Sequence, residues 1–203
     1  GDEPDGSAKL IVNVLNNKEI AEEIHRLIDR GGLILGICNG FQALVKSGLL
    51  PYGRLGRVTK ESPTLFRNDI NRHISQIVTT RVASTNSPWL AGFREGDLHA
   101  IAVSHGEGKF VVSDQLAEEL FRNGQVAFQY ADPQGNPTVE SPYNPNGSYH
   151  AIEGILSRDG RILGKMGHTE RYEEELFKNI AGEKRQPLFD NAVAYFRKRQ
   201  SVR

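Results

Sequence analysis

Hydrophobic positions change their spacing several times along this chain, and each change marks an element. After an acidic opening that reads as a loop over 2–6, Ser7 is placed to cap a short helix through Leu15, with Leu10, Ile11 and Val14 at helical spacing. Asn17 is placed to cap a second helix. There Ile20, Ile24, Leu27 and Ile28 recur at i, i+4, i+7 and i+8, Glu22, Glu23, Arg26 and Arg30 face away, and Gly31-Gly32 stops the segment. This pattern predicts a surface helix with one buried stripe. Leu33-Ile34-Leu35-Gly36-Ile37 follows as a continuous apolar run, expected for a parallel strand covered on both faces. Cys38 ends it, Asn39-Gly40 reads as a sharp turn, and 41–46 reads as a helix closed by Ser47-Gly48.

Beyond this the texture is different. Short Val-, Ile- and Phe-bearing segments at 74–83, 98–103, 109–112 and 125–130, separated by Gly, Pro, Asn and Asp, predict strands, some of them antiparallel. Residues 114–123 read as an amphipathic helix with Leu116, Leu120 and Phe121 on its apolar side. Residues 155–157 and 161–166 form a hairpin around Arg158-Asp159-Gly160. The stretch 187–199 reads as a helix with Pro187 in its first turn, apolar Leu188, Val193 and Phe196, and a basic end that suits the helix dipole. That helix is assigned to packing rather than function. With no internal repeat, low-complexity tract or Gly/Ser linker, residues 1–203 are expected to form one α/β domain: a mostly parallel central sheet flanked by helices, with additional antiparallel strands.

Composition narrows the function by exclusion. The 25 Lys and Arg balance the 25 Asp and Glu and are mixed along the chain, so there is no electrostatic footprint for nucleic acid or an anionic membrane. No apolar run approaches the roughly 20 residues that span a bilayer, and the acidic start is unlike a signal peptide, so a cytoplasmic protein is expected. The single cysteine excludes an internal disulfide. A lone thiol is either a small buried hydrophobe or a nucleophile, and that choice governs the functional reading.

In Gly36-Ile37-Cys38-Asn39-Gly40 a glycine stands two residues before and two after the cysteine. A strained strand-to-helix turn needs residues without a Cβ beside it, so each glycine is expected to have a steric reason, and the pattern resembles G-x-S-x-G with sulfur for oxygen. Backbone N–H groups at the start of the next helix, above all that of Asn39, would stabilise a thiolate and the oxyanion formed on an amide. On the pentapeptide alone a structural cysteine stays open. In Met166-Gly167-His168-Thr169-Glu170-Arg171 a histidine and a carboxylate two apart follow a predicted strand. In extended chain they project to one side, so Glu170 can hold the imidazole of His168 in the tautomer that takes a proton from a thiol. Alone, such a pair occurs often by chance and is read in the first place as surface polar residues; its value comes from the combination with Cys38.

Together, Leu35-Gly36-Ile37-Cys38-Asn39-Gly40-Phe41-Gln42-Ala43-Leu44, Gly48-Leu49-Leu50-Pro51-Tyr52-Gly53, Ser104-His105-Gly106-Glu107-Gly108 and Gly167-His168-Thr169-Glu170-Arg171, with the opening nine residues, resemble the class I (triad) glutamine amidotransferase family. Within it they are similar to the glutaminase domains of phosphoribosylformylglycinamidine synthases. The segments keep the family's order and span nearly the whole chain. The resemblance implies a flavodoxin-like fold, Cys38 as nucleophile, His168 as base and then acid, and Glu170 as its orienter. It implies glutamine as substrate, held by Gln42 and by backbone groups of Ser104-His105-Gly106. It also implies a synthetase domain as partner, which would bind ATP and magnesium, with no cofactor in this chain. The family's first strands and a glycine-rich loop carrying a second oxyanion donor are expected before Gly1, making the domain N-terminally incomplete. The tail after Arg171 resembles the end of the single-chain form of such enzymes.

The residues agree in part: they contain no Gly-x-x-x-x-Gly-Lys-Ser/Thr phosphate loop and no His/Cys cluster for zinc, so no metal is expected. His105 and Glu107 form a rival His-x-Glu pair, set second because the family's pair lies near the end of the domain. Two other readings stay open: another cysteine hydrolase on a related scaffold, and a non-catalytic module that docks on a synthetase.

Overall fold

A computed structural model describes residues 6–201; the predicted opening loop, apart from Gly6, lies outside them. Helices α1 (Lys9–Leu15) and α2 (Lys18–Asp29) precede β1 (Ile34–Ile37). Then come α3 (Asn39–Ser47), the single turn α4 (Leu49–Tyr52), β2 (Thr64–Phe66), β3 (Ile74–Val82), β4 (Leu98–His105) and β5 (Lys109–Val111). The chain closes with α5 (Asp114–Arg122), β6 (Val126–Tyr130), β7 (Ile152–Leu156), β8 (Ile162–Lys165) and α6 (Leu188–Gln200). Six strands form one sheet in the order β1-β8-β7-β6-β3-β4, and β2 pairs with β5 separately.

The α/β class holds, but the sheet is mixed: among the described residues only β1 and β8 pair in parallel, and the other neighbours are antiparallel. Parallel pairing requires a long crossover, whereas β7 and β8 are joined by the predicted hairpin, with Gly160 at φ 71° in its turn. Successive residues of β8 feed opposite faces: Ile162 joins a core with Phe41, Leu44, Leu50 and Ile155, while Leu163 joins another with Phe128, Leu156, Trp89 and Leu188.

Several local expectations are corrected. Ser7 does not cap α1; Ala8 takes the cap position in the left-handed region at φ 65°, and the buried Ser7 gives its carbonyl to Lys46 Nζ at 2.6 Å. Asn17 does cap α2, accepting from the N–H groups of Glu19 and Ile20. The stripe of α2 is only partly covered, since Ile28 is buried but Ile20 and Leu27 are exposed. Leu10 and Val14 of α1, Phe121 of α5, and Val193 and Phe196 of α6 are likewise exposed. Periodicity marks an apolar face; whether anything lies against it is a tertiary fact. Strand β4 runs on through Ser104 and His105, two residues beyond the predicted end. Among the described residues no helix is long and apolar enough to cross a membrane.

Candidate active site

The parallel pair β1/β8 brings two chain ends together. Ile37 is in register with Lys165, and the next residue, Cys38, donates its N–H to the Lys165 carbonyl at 2.8 Å. Cys38 then turns sharply, at φ 52° and ψ −105°, to become the N-cap of α3. A positive φ at a residue with a Cβ is strained backbone, held here by strand pairing before it and helix bonding after it, including Gln42 N–H to the Cys38 carbonyl at 3.1 Å. The turn lies at Cys38 itself: Asn39-Gly40, read as a turn, is the first turn of α3.

The two flanking glycines differ. A Cβ on Gly36 would lie 2.5 Å from Leu44 Cδ1 and 2.7 Å from the backbone C and O of Gly40, so strand and helix can approach only because it is absent. A Cβ on Gly40 would meet nothing within 4 Å, which corrects the expected steric role of that residue.

Beyond β8, His168 is anchored by its N–H to the Ala102 carbonyl of β4 at 2.8 Å. Its Nδ1 is 2.5 Å from Glu170 Oε1, the predicted pairing. Its Nε2 is buried and has no hydrogen-bond partner among the described residues. The Cys38 thiol donates to the Ser104 carbonyl at 3.5 Å. The structure therefore holds the imidazole by one nitrogen, leaves the other available, and seats the thiol against the end of β4. Asn39 Oδ1 is a second buried acceptor with no partner among the described residues.

His105 is not presented in the same way. Its ring is fully buried, Nδ1 lies 3.2 Å from Asn68 Oδ1, and its carbonyl accepts from Asn68 Nδ2 at 2.8 Å. Gly108 makes room for it, as a Cβ there would lie 2.3 Å from His105 Cε1. Gly106 gives its carbonyl to Asn68 N–H at 3.0 Å. Gln42 is buried, with Nε2 donating to the Glu107 carbonyl at 2.5 Å, so it ties α3 to the segment that follows Ser104.

Three residues near the site were not singled out from the sequence. His73, from the loop before β3, has Nε2 3.1 Å from Ser104 Oγ. Lys165 and Glu153 are fully buried with their charged groups 3.8 Å apart. A charge inside each of two apolar strands was the signal available for that pair. Among the described residues no group of three or more His, Cys, Asp or Glu is arranged to hold a metal ion.

The model of the CobB/CobQ-like glutamine amidotransferase domain matches residues 1–196. The phosphoribosylformylglycinamidine synthase subunit PurQ of Gloeobacter violaceus is 35% identical over 175 residues, covering 86% of this chain and 68% of that protein. The subunit of the same name from Koribacter versatilis is 37% identical over 155 residues, 76% of this chain and 62% of that protein. Among solved structures, PurLQS from Thermotoga maritima superposes with a TM-score of 0.66 at 30% identity, covering 90% of this chain and 71% of that one.

Proposed function

This chain belongs to the CobB/CobQ-like glutamine amidotransferase domain family, and from that premise we propose that it is the glutaminase part of a phosphoribosylformylglycinamidine synthase. The observation that carries the reading is the strained Cys38 at the end of β1, beside the end of β8 that bears the His168–Glu170 pair. His168 Nε2 takes the thiol proton, and the Cys38 sulfur attacks the side-chain amide carbon of glutamine. The oxyanion is met by the Asn39 N–H at the head of α3. Collapse returns the proton from His168 to the departing ammonia and leaves a glutamyl thioester; water, deprotonated by His168, releases glutamate. Glu170 holds the imidazole in the tautomer this requires and balances its charge when protonated.

Backbone groups of Ser104, His105 and Gly106 hold the amino-acid end of glutamine, and Gln42 supports them through its bond to Glu107. Ammonia then passes to a synthetase partner, which binds ATP and magnesium and converts formylglycinamide ribonucleotide to the amidine. The outer edge of β1 pairs with no strand among the described residues, which supports a further pairing segment outside them. The names of the two subunits and of the PurLQS structure support the partner and the pathway.

The test is mass spectrometry of the chain quenched during glutamine turnover, with and without the synthetase, and with Cys38→Ser as control. A glutamyl adduct on Cys38 that is missing from the control is expected. No adduct under either condition, with Cys38 inert to alkylation in the folded protein, would return the thiol to a structural role.

A further inference from the structure

Lys165 ends β8 and Glu153 is the second residue of β7, and neither side chain reaches solvent. Removing an ion pair from water costs several kcal/mol per ion, and apolar residues of similar size usually stabilise a core equally well. The pair therefore calls for a reason beyond packing. Burial lowers the proton affinity of the ammonium below its ordinary value, with Glu153 and Glu170 acting against that.

The bonding supplies the reason. Glu153 Oε1 accepts the Gly167 N–H at 2.5 Å. Lys165 Nζ donates to the Gly167 carbonyl at 2.9 Å and to Thr169 Oγ1 at 3.1 Å. Thr169 Oγ1 in turn donates to Gln186 Oε1 at 2.6 Å. Gly167 and Thr169 are the residues on either side of His168, so the turn that carries the imidazole is gripped by an acceptor and a donor of opposite charge. Lys165 also takes the Cys38 N–H on its carbonyl. One residue is thus bonded to both chain ends of the site. The fit is close: a Cβ on Gly167 would lie 2.9 Å from Glu153 Oε1 and 3.1 Å from Lys165 Nζ.

We propose that Lys165 and Glu153 are positioning residues, a buried clamp of opposite charges that fixes the Gly167–Thr169 turn and with it the orientation of the His168 imidazole relative to Cys38. The proposal rests on the reading of His168 as the catalytic base. Neither residue touches substrate; both act through the turn.

Single neutral variants leave one buried charge unpaired and are expected to unfold readily. The informative variant is Lys165→Met/Glu153→Leu, which removes both charges and keeps volume, assayed in the full chain with its synthetase partner beside His168→Ala. The double variant should stay folded at the assay temperature, its unfolding temperature lowered by several degrees because the Gly167 N–H and carbonyl lose their partners, and should keep its KM for glutamine, while kcat falls on the order of tenfold or more, because a small misplacement of a catalytic group costs rate rather than ground-state binding. A parental kcat in the double variant, with His168→Ala inactive, would overturn the clamp and leave the triad standing. A double variant unfolded at the assay temperature would overturn it too, since the pair would then be a requirement of the fold. Parental turnover in His168→Ala would defeat the base assignment itself, whatever the double variant does.

Discussion

Replacing Gly36 by alanine adds one methyl group at the place where the strand bearing Cys38 meets the helix that follows it. That methyl would stand 2.5 Å from Leu44 Cδ1 and 2.7 Å from the Gly40 C and O. The leucine can change rotamer, but Gly40 is backbone in the first turn of α3, so β1 and α3 must move apart by roughly 0.7 Å or more to bring 2.7 Å out to ordinary contact at 3.4 Å. Overpacking of this kind costs about 1–3 kcal/mol. For a chain of this size each kcal/mol lowers the unfolding temperature by about 2–4 °C. Activity should suffer more than stability, because the displaced turn carries the thiol, and on the order of a hundredfold loss in kcat is expected from a misplacement approaching 1 Å. Gly40→Ala is the matched control. Its Cβ meets nothing within 4 Å, and replacing a helical glycine contributes up to about 1 kcal/mol of stability. Thermal unfolding followed by circular dichroism and single-turnover glutamine hydrolysis measure both. Gly36→Ala with parental stability and rate would refute the reasoning that close approach at Gly36 builds the turn.

Glu170→Gln keeps the shape of the side chain bonded to His168 Nδ1 but removes its charge; kcat should fall on the order of a hundredfold with little change in KM, and an unchanged kcat would take Glu170 out of the triad. His99, buried on β4, has its pKa lowered from 6.5, first by burial and then by the nearby Lys165 charge. The unfolded chain therefore binds this proton first, so the contribution of His99 to stability is full above pH 6.5 and is lost as pH falls toward its folded-state value. Melting temperatures of His99→Gln and the parent should converge as pH falls below that point, and parallel curves would count against the assignment. Gln42→Ala leaves the buried Glu107 carbonyl without its donor and should cost about 1–3 kcal/mol in urea unfolding; an unchanged midpoint would mean that the bond adds nothing.

The sequence revealed most where a signal is local. An apolar run, a cysteine and a helix in immediate succession announced the strand–turn–helix, and Asn17 and the Arg158-Asp159-Gly160 turn were legible because caps and tight turns are decided by neighbouring residues. His168 and Glu170, two apart, could be paired once the Cys38 segment gave the pair a partner. Misreadings came where distant contacts decide. Asn39-Gly40 carries a turn signature, yet β1/β8 pairing and the start of α3 put the strained conformation on Cys38. Ser7 has the chemistry of a cap, but its carbonyl is engaged by Lys46. His105-x-Glu107, set second to His168-x-Glu170 from the start, was no misreading, but the burial of its ring against Asn68 and Gly108 is a tertiary fact that the letters do not carry. Lys165 and Glu153 are 12 residues apart across a hairpin, and no window of neighbouring positions joins them.

The parallel register Ile37–Lys165 has a practical use in judging preparations of this protein. A slip of one residue between β1 and β8 would carry the thiol about 3.3 Å along the sheet and turn every side chain of the slipped strand to the opposite face. Helix content would hardly register such an error, but on the reading of Cys38 as the nucleophile turnover would vanish. Titration of competent thiols against total protein therefore counts correctly assembled molecules, and gives a stricter criterion of refolding yield than any spectrum.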